Sequence, residues 1–265
     1  MKLNLSQKPI MIITHERSGT HLCMDYLRNF FQDTYLKQYP FQRTRNLYWV
    51  FPTLPTEKKL PFFISSLQNA KSRPLIKTHV TTNLKAIKDQ AQRDLFHALF
   101  EESDHIYVVR DGRDVLVSYF YFRIKFNNGT RNFSNYLRSP LRIGHRTVVK
   151  YWADHITEWY DKLEQDKFVC FESLRNNLTE TVTSLGHSLG LTRNNRAIQP
   201  IQVDKQRMVR ALKCALGIQH SSAVLPGYGH SKTWASHFSE SDKDFFKEVA
   251  GQELIDLGYE KDMDW

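Results

Sequence analysis

The feature that most constrains this chain is a recurring unit: a short apolar run, a polar loop, then an amphipathic stretch. Pro9–Thr14 reads as a short, fully buried strand. The polar turn His15–Gly19 follows it, and Leu22, Tyr26, Leu27 and Phe30 then fall at helical spacing. Leu75–Lys77 has the look of another strand end, and Asp104–Arg110 carries the apolar core Ile106–Val109 into Asp111-Gly112-Arg113-Asp114. There Asp111 is placed to cap a helix, and Asp114 sits in its first turn, where a carboxylate suits the helix dipole. Lys167–Cys170 precedes the amphipathic run Leu178–Leu191. Strands alternating with helices predict an α/β fold, a central and mainly parallel sheet flanked by helices. In such sheets ligands bind beyond the carboxyl ends of the strands, where loops enter helices. The basic loops of this chain occupy that position.

Length and composition fit one such unit. With 265 residues, and no repeat or linker-like stretch, a single domain over 1–265 is expected. A content of 41% hydrophobic and 25% charged residues is that of a globular protein able to bury a sizeable core. Pro9–Ile13 is far shorter than a membrane span or a signal-peptide core. The three cysteines, Cys23, Cys170 and Cys214, have neither C-x-x-C nor Cys/His ligand spacing, so no disulfide framework or structural zinc is expected. A cytoplasmic setting is the expectation. The formal charge of +9 favours anionic partners, whether nucleotide, nucleic acid, membrane surface or an anionic acceptor.

The loop Thr14-His15-Glu16-Arg17-Ser18-Gly19-Thr20-His21 has chemistry suited to a phosphate or sulfate. Gly19 lets the backbone approach a ligand, helix-start amides face an anion, and Ser18, Thr20 and His21 add donors beside the Arg17 fork. Taken alone, Ser18-Gly19-Thr20 is equally a capped strand-to-helix turn. It is not a Walker A loop, because the first Gly and the Lys of G-x-x-x-x-G-K-[ST] are missing. A second loop, Arg110-Asp111-Gly112-Arg113-Asp114-Val115-Leu116-Val117-Ser118, also follows an apolar run. Arg110 and Ser118 converge on one anion only if the loop folds back.

Taken together these strings resemble those of the sulfotransferases that use 3′-phosphoadenosine 5′-phosphosulfate (PAPS). Arg17-Ser18-Gly19-Thr20 is similar to that family's R/K-S-G-T loop, which clamps the 5′-phosphosulfate, so a P-loop-like phosphosulfate-binding loop is implied. The second string resembles R-(D/N)-x-(R/K)-D-x-x-x-S, implying that Arg110 and Ser118 hold the 3′-phosphate. Lys77-Thr78-His79 is similar to K-T-H, where the lysine faces the sulfate and the histidine is the base. Phe171-Glu172 resembles Y-E, whose aromatic packs on adenine. Gly227–Trp234 looks like a degraded R-K-G-x-x-G-x-W loop: Gly229 and Trp234 align, Gly227 and Tyr228 replace the Arg-Lys pair, and Lys232 stands in as a candidate 3′-phosphate contact. Leu22 takes the place of a tryptophan often found after the first loop.

The resemblance implies a PAPS-dependent sulfotransferase with no metal, acting on a hydroxyl, amine or phenol. Arg17 and Lys77 would offset charge on the sulfo oxygens and the departing phosphate, and His79 would take the acceptor's proton. Glu16 is the competing base. Acceptor recognition is expected from Phe31–Leu60, rich in aromatics (Tyr35, Tyr39, Phe41, Tyr48, Trp49, Phe51), and from Phe120–Lys150, rich in cations (Arg123, Lys125, Arg131, Arg138, Arg142, Arg146, Lys150). Such a wall and rim suit a small-molecule, glycan or lipid acceptor, and core packing accounts for the aromatic set equally well. Trp152, His155, Ile156 and Trp159 form a helical stripe read as core. The rival readings are a kinase-like phosphotransferase, which lacks Walker A and a clear magnesium carboxylate, and a polyanion or nucleic-acid binder, for which no recognised module is present.

Overall fold

In the computed structural model, residues 2–34, 49–51, 60–84, 87–125, 130–140, 147–201 and 233–265 are described. Five strands form one parallel sheet in the order β2-β3-β1-β4-β5: β1 (Ile10–Thr14), β2 (Trp49–Phe51), β3 (Leu75–Thr78), β4 (Asp104–Val109) and β5 (Phe168–Cys170). The expected strands are all present, trimmed by up to one residue at an end. β3 is the exception and gains Thr78.

The central strand β1 pairs Ile10 with Leu75 and Asp104, and Ile13 with Thr78 and Tyr107. Alternate side chains leave opposite faces of the sheet, and both faces are covered, which is why these strands read as unbroken apolar runs. Met11, Ile13, Ile76, Tyr107 and Val109 face one core. That core is completed by helices α2 (Leu60–Gln68), α3 (Gln90–Glu101), α4 (Gly112–Lys125), α5 (Phe133–Leu137), α6 (Val148–Tyr160) and α9 (Glu240–Asp256). Ile10, Ile12, Leu75, Ile106, Val108 and Val169 face the other core, under α1 (Thr20–Phe30), α7 (Ser173–Asn176) and α8 (Leu178–Ser188). The stripe Trp152, His155, Ile156 and Trp159 is buried on α6, as its spacing indicated, and Trp159 Nε1 donates to the Val80 carbonyl at 2.9 Å.

The strand order places the site. From β1 the chain moves outward to β2 and β3, then crosses to β4 on the opposite side. The loops after β1 and β4 therefore diverge and leave a crevice between them. Asp111 caps α4, its Oδ1 accepting from Arg113 N at 2.9 Å.

The structure describes parts of the two segments expected to recognise the acceptor. Within Phe31–Leu60, Trp49–Phe51 is the edge strand β2, and Phe31 is fully buried against α8. Within Phe120–Lys150, Phe120, Tyr136 and Leu137 are core, Arg138 pairs with Asp242 at 2.6 Å and Lys150 with Asp154 at 2.8 Å. Apolar burial thus accounts for Phe31, Phe120, Tyr136 and Leu137, and local carboxylates for Arg138 and Lys150. Tyr35, Tyr39, Phe41, Tyr48, Arg142 and Arg146 lie outside the described residues.

Candidate active site

The β1 loop turns sharply because two residues take left-handed backbone angles, Arg17 with φ 71° and Gly19 with φ 99°. Gly19 has a second constraint. A Cβ built on it would stand 2.3 Å from Cδ2 of Phe171, the residue after β5, so only a glycine lets that ring close on the turn. Gly19 caps α1, and the first helical residue, Thr20, brings its hydroxyl 2.7 Å from that of Thr14. Ser18 is buried in the turn.

The loops after β1 and β4 are tied together through their arginines. Arg17 Nε donates to Ser118 Oγ at 3.2 Å, and Arg110 Nη1 donates to the Arg17 carbonyl at 3.1 Å. Arg17 thus contacts both ends of the second string, Ser118 through its side chain and Arg110 through its carbonyl. Arg110 is buried and stacks over Phe171, its Cζ 4.5 Å from the ring centroid. Phe171, 4% exposed, is thereby committed to packing the two loops against each other. Burial, and then the charge of Arg110, hold the Arg17 guanidinium below its ordinary pKa; burial does the same to Arg110. Two desolvated cations this close are relieved by an anion between them.

Lys77 projects from β3 toward the same place. Its ammonium donates to His21 Nε2 at 2.9 Å, and burial, followed by Arg17, pushes its pKa down to about 8. His21 is held well below the usual histidine value by burial, Lys77, His79 and Arg17, so it is neutral and turns a lone pair to the lysine. In this geometry its Nε2 positions Lys77.

His79, just past β3, has Nδ1 2.8 Å from the Thr14 carbonyl and 2.9 Å from Thr14 Oγ1. A carbonyl only accepts, so Nδ1 carries the hydrogen, and Nε2 is the basic nitrogen of the neutral ring. Beneath it lies a layer that the motifs did not reveal. Tyr151 OH donates to Glu16 Oε2 at 3.2 Å and lies 3.4 Å from the His79 carbonyl, while the buried ring of His15 meets that of Tyr151 at a tilt, centroids 4.9 Å apart. Glu16 is thus engaged by Tyr151 and near His15, at 4.0 Å. Tyr151 was missed because it sits one residue before Trp152 in a helix read for its apolar stripe. Gly229 and Lys232 lie outside the described residues, as do Gly227 and Tyr228. Trp234 is present and borders the second loop, its ring 3.9 Å from Arg113 Cζ. Among the described residues no group of three or more His, Cys, Asp or Glu is placed to hold a metal ion, and none of the described helices is long and apolar enough to cross a membrane.

A three-layer α/β fold with paired cationic loops at its switch point is an arrangement suited to an anionic ligand. Comparison with known proteins narrows it: the sulfotransferase-domain family model matches residues 7–258, and the chain belongs to that family. Sulfotransferase 1E1 of Cavia porcellus is 23% identical over 194 residues, 68% of this chain and 58% of that protein. The chain thus spans little more than half the length of that relative. The amine sulfotransferase of Oryctolagus cuniculus is 20% identical, over 94% of this chain and 81% of its own length. Among solved structures, mouse sulfotransferase SULT7A1 complexed with PAP superimposes with a TM-score of 0.61 at 17% identity, covering 97% of this chain and 90% of that one. Retinol dehydratase in complex with androsterone and inactive cofactor PAP gives 0.51 at 13% identity, covering 97% and 82%.

Proposed function

We propose that this chain transfers the sulfo group of PAPS to a hydroxyl, phenol or amine of a small-molecule, glycan or lipid acceptor. The observation that carries the proposal is the junction of Arg17, Ser118 and Arg110 between β1 and β4, a half-buried and a buried guanidinium group suited to a polyanionic nucleotide. When bound, PAPS supplies the sulfo group and a phosphate leaving group. Arg17, with the helix-start amides behind Gly19, would hold the 5′-phosphosulfate. Arg110 and Ser118 would hold the 3′-phosphate. Lys77 and Arg17 would donate toward charge that grows on the sulfo oxygens and the leaving phosphate, which stabilises the transition state more than the ground state. His79 Nε2 would take the acceptor proton as the new bond to sulfur forms. A cytosolic location is part of the proposal, from the sparse cysteines.

Thermal melting with adenosine 3′,5′-bisphosphate (PAP) tests the donor assignment against ADP, ATP and short oligonucleotides. A ligand at about 100-fold its Kd is expected to raise the Tm by about 5–10 °C, and PAP alone should do so. Equal stabilisation by ATP would support a kinase-like phosphotransferase, and by oligonucleotides a polyanion binder.

The Lys77 ammonium makes a second, pH-dependent prediction. With a pKa of about 8 in the free protein it is charged below that pH and loses its charge above. A bound polyanion stabilises the ammonium and raises that value. The kcat/KM for PAPS, which reports the free enzyme, is therefore expected to fall above pH about 8, while kcat holds to higher pH. Lys77→Arg, charged throughout, should abolish that limb. A Lys77→Arg profile with the same limb would assign it to another group.

A further inference from the structure

We infer that the segment Tyr259–Trp265, far from the donor motifs in sequence, is a positioning element of the donor site, holding the β4 and β5 loops in register. This rests on the donor reading above. The segment reaches the site because α9 ends in a left-handed turn. Gly258 has φ 73°, Gly258 N donates to Ile255 O at 2.9 Å and Tyr259 N to Leu254 O at 2.8 Å, so the chain folds back beside its own helix.

Three side chains then reach the two loops. Tyr259 OH donates to Glu172 Oε2 at 3.0 Å, and Glu172 Oε1 accepts from Asp111 N at 3.4 Å, which links the residue after Phe171 to the residue after Arg110. Glu260 pairs with Arg113 at 2.5 Å, and Arg113 also pairs with Asp111 at 2.8 Å. Trp265 adds a second ring to Arg113: its centroid lies 4.3 Å from Arg113 Cζ and that of Trp234 3.9 Å, the two indoles meeting edge to face at 5.5 Å. The neighbouring Asp114 accepts from Thr233 Oγ1 at 2.9 Å and from Trp234 N at 3.0 Å. Arg113 and Asp114 thus face away from the anion and hold the chain around it.

Position depends on these links because the space between them is not filled. A cavity of about 460 Å³ is lined by Asp111, Arg113, Asp114, Glu172, Trp234 and Tyr259 among others. On the cavity side the loop is held by its side-chain bonds, while Phe171 and Trp152 pack its other side. Releasing Arg113 or Glu172 frees Asp111, and with it the backbone that aims Arg110. The group lost is the 3′-phosphate contact, so donor affinity suffers and the proton-transfer geometry at His79 does not.

The test compares PAP Kd by calorimetry, KM for PAPS and kcat in wild type, Trp265→Ala, Trp265→Phe and Tyr259→Phe. Removing the Trp265 face from Arg113 is expected to raise PAP Kd and KM about tenfold, the scale of one desolvated cation–π contact. The kcat at saturation should stay within about twofold of wild type, and Trp265→Phe should recover most of the affinity, since a smaller ring still offers a face. Tyr259→Phe removes one hydroxyl and keeps the ring, so it reports on the link even if Trp265→Ala does not fold. A folded Trp265→Ala or Tyr259→Phe protein with wild-type PAP affinity overturns the inference, as does a loss confined to kcat. Wild-type protein that does not bind PAP overturns the donor reading, and this inference with it.

Discussion

Replacing His79 by alanine is expected to lower turnover by roughly 10²–10⁴-fold while PAP binding stays nearly intact. The ring offers one basic nitrogen, because Nδ1 is committed to the Thr14 carbonyl at 2.8 Å and the other ring atom is Nε2. Thr14 ends β1 and its hydroxyl meets Thr20 on the donor loop, so the same bond sets the base against the donor loop. A purely structural histidine predicts a different outcome, since losing that bond would lower Tm and donor affinity together. His79→Asn separates the two roles. Its amide can still donate to Thr14 and cannot take a proton at neutral pH, so it should melt like wild type and turn over like His79→Ala. Both variants should lose the low-pH limb of the rate profile. A stable, donor-binding His79→Ala protein with unchanged turnover on its acceptor would rule the role out and make Glu16, held by Tyr151 beneath the site, the next group to test.

The second large effect is expected at Arg110. Arg110→Ala should weaken PAPS binding by about 10²-fold more than binding of the same donor without its 3′-phosphate, a difference of ~2.7 kcal/mol, within reach of two charge-assisted hydrogen bonds. Comparing two donors is essential. Arg110 also stacks on Phe171 and donates to the Arg17 carbonyl, so its removal disturbs the 5′ side for either donor. That shared loss cancels in the ratio. Arg110→Lys keeps the charge and loses the planar fork, and should fall between the two. Equal losses for both donors would show that Arg110 organises the loops and does not hold the 3′-phosphate.

Much of this architecture is local in origin and was therefore visible in the sequence. The runs Ile10–Ile13 and Ile106–Val109 are apolar at every position because both sheet faces are covered, and the polar loops after them mark the carboxyl ends. Burial and turn chemistry act over a few residues, so strings such as Arg17-Ser18-Gly19-Thr20 and Arg110–Ser118 carry their meaning with them. Pairing is another matter. No spacing rule says that Arg17 Nε meets Ser118, that His21 holds Lys77, or that Phe171 closes on Gly19. Those contacts exist because crossovers bring β3 and β4 alongside β1 and β5 alongside β4, a property of the whole sheet. The aromatic and basic segments expected to recognise the acceptor show the same limit: Phe31 and Tyr136 went to the core, and Arg138 and Lys150 to nearby carboxylates, since an aromatic ring or a cation has one composition and several uses. Tyr151 and Trp265 lie outside every motif, and their positions against Glu16 and Arg113 were decided by tertiary packing alone, because contacts across such separations in sequence leave no local pattern to read.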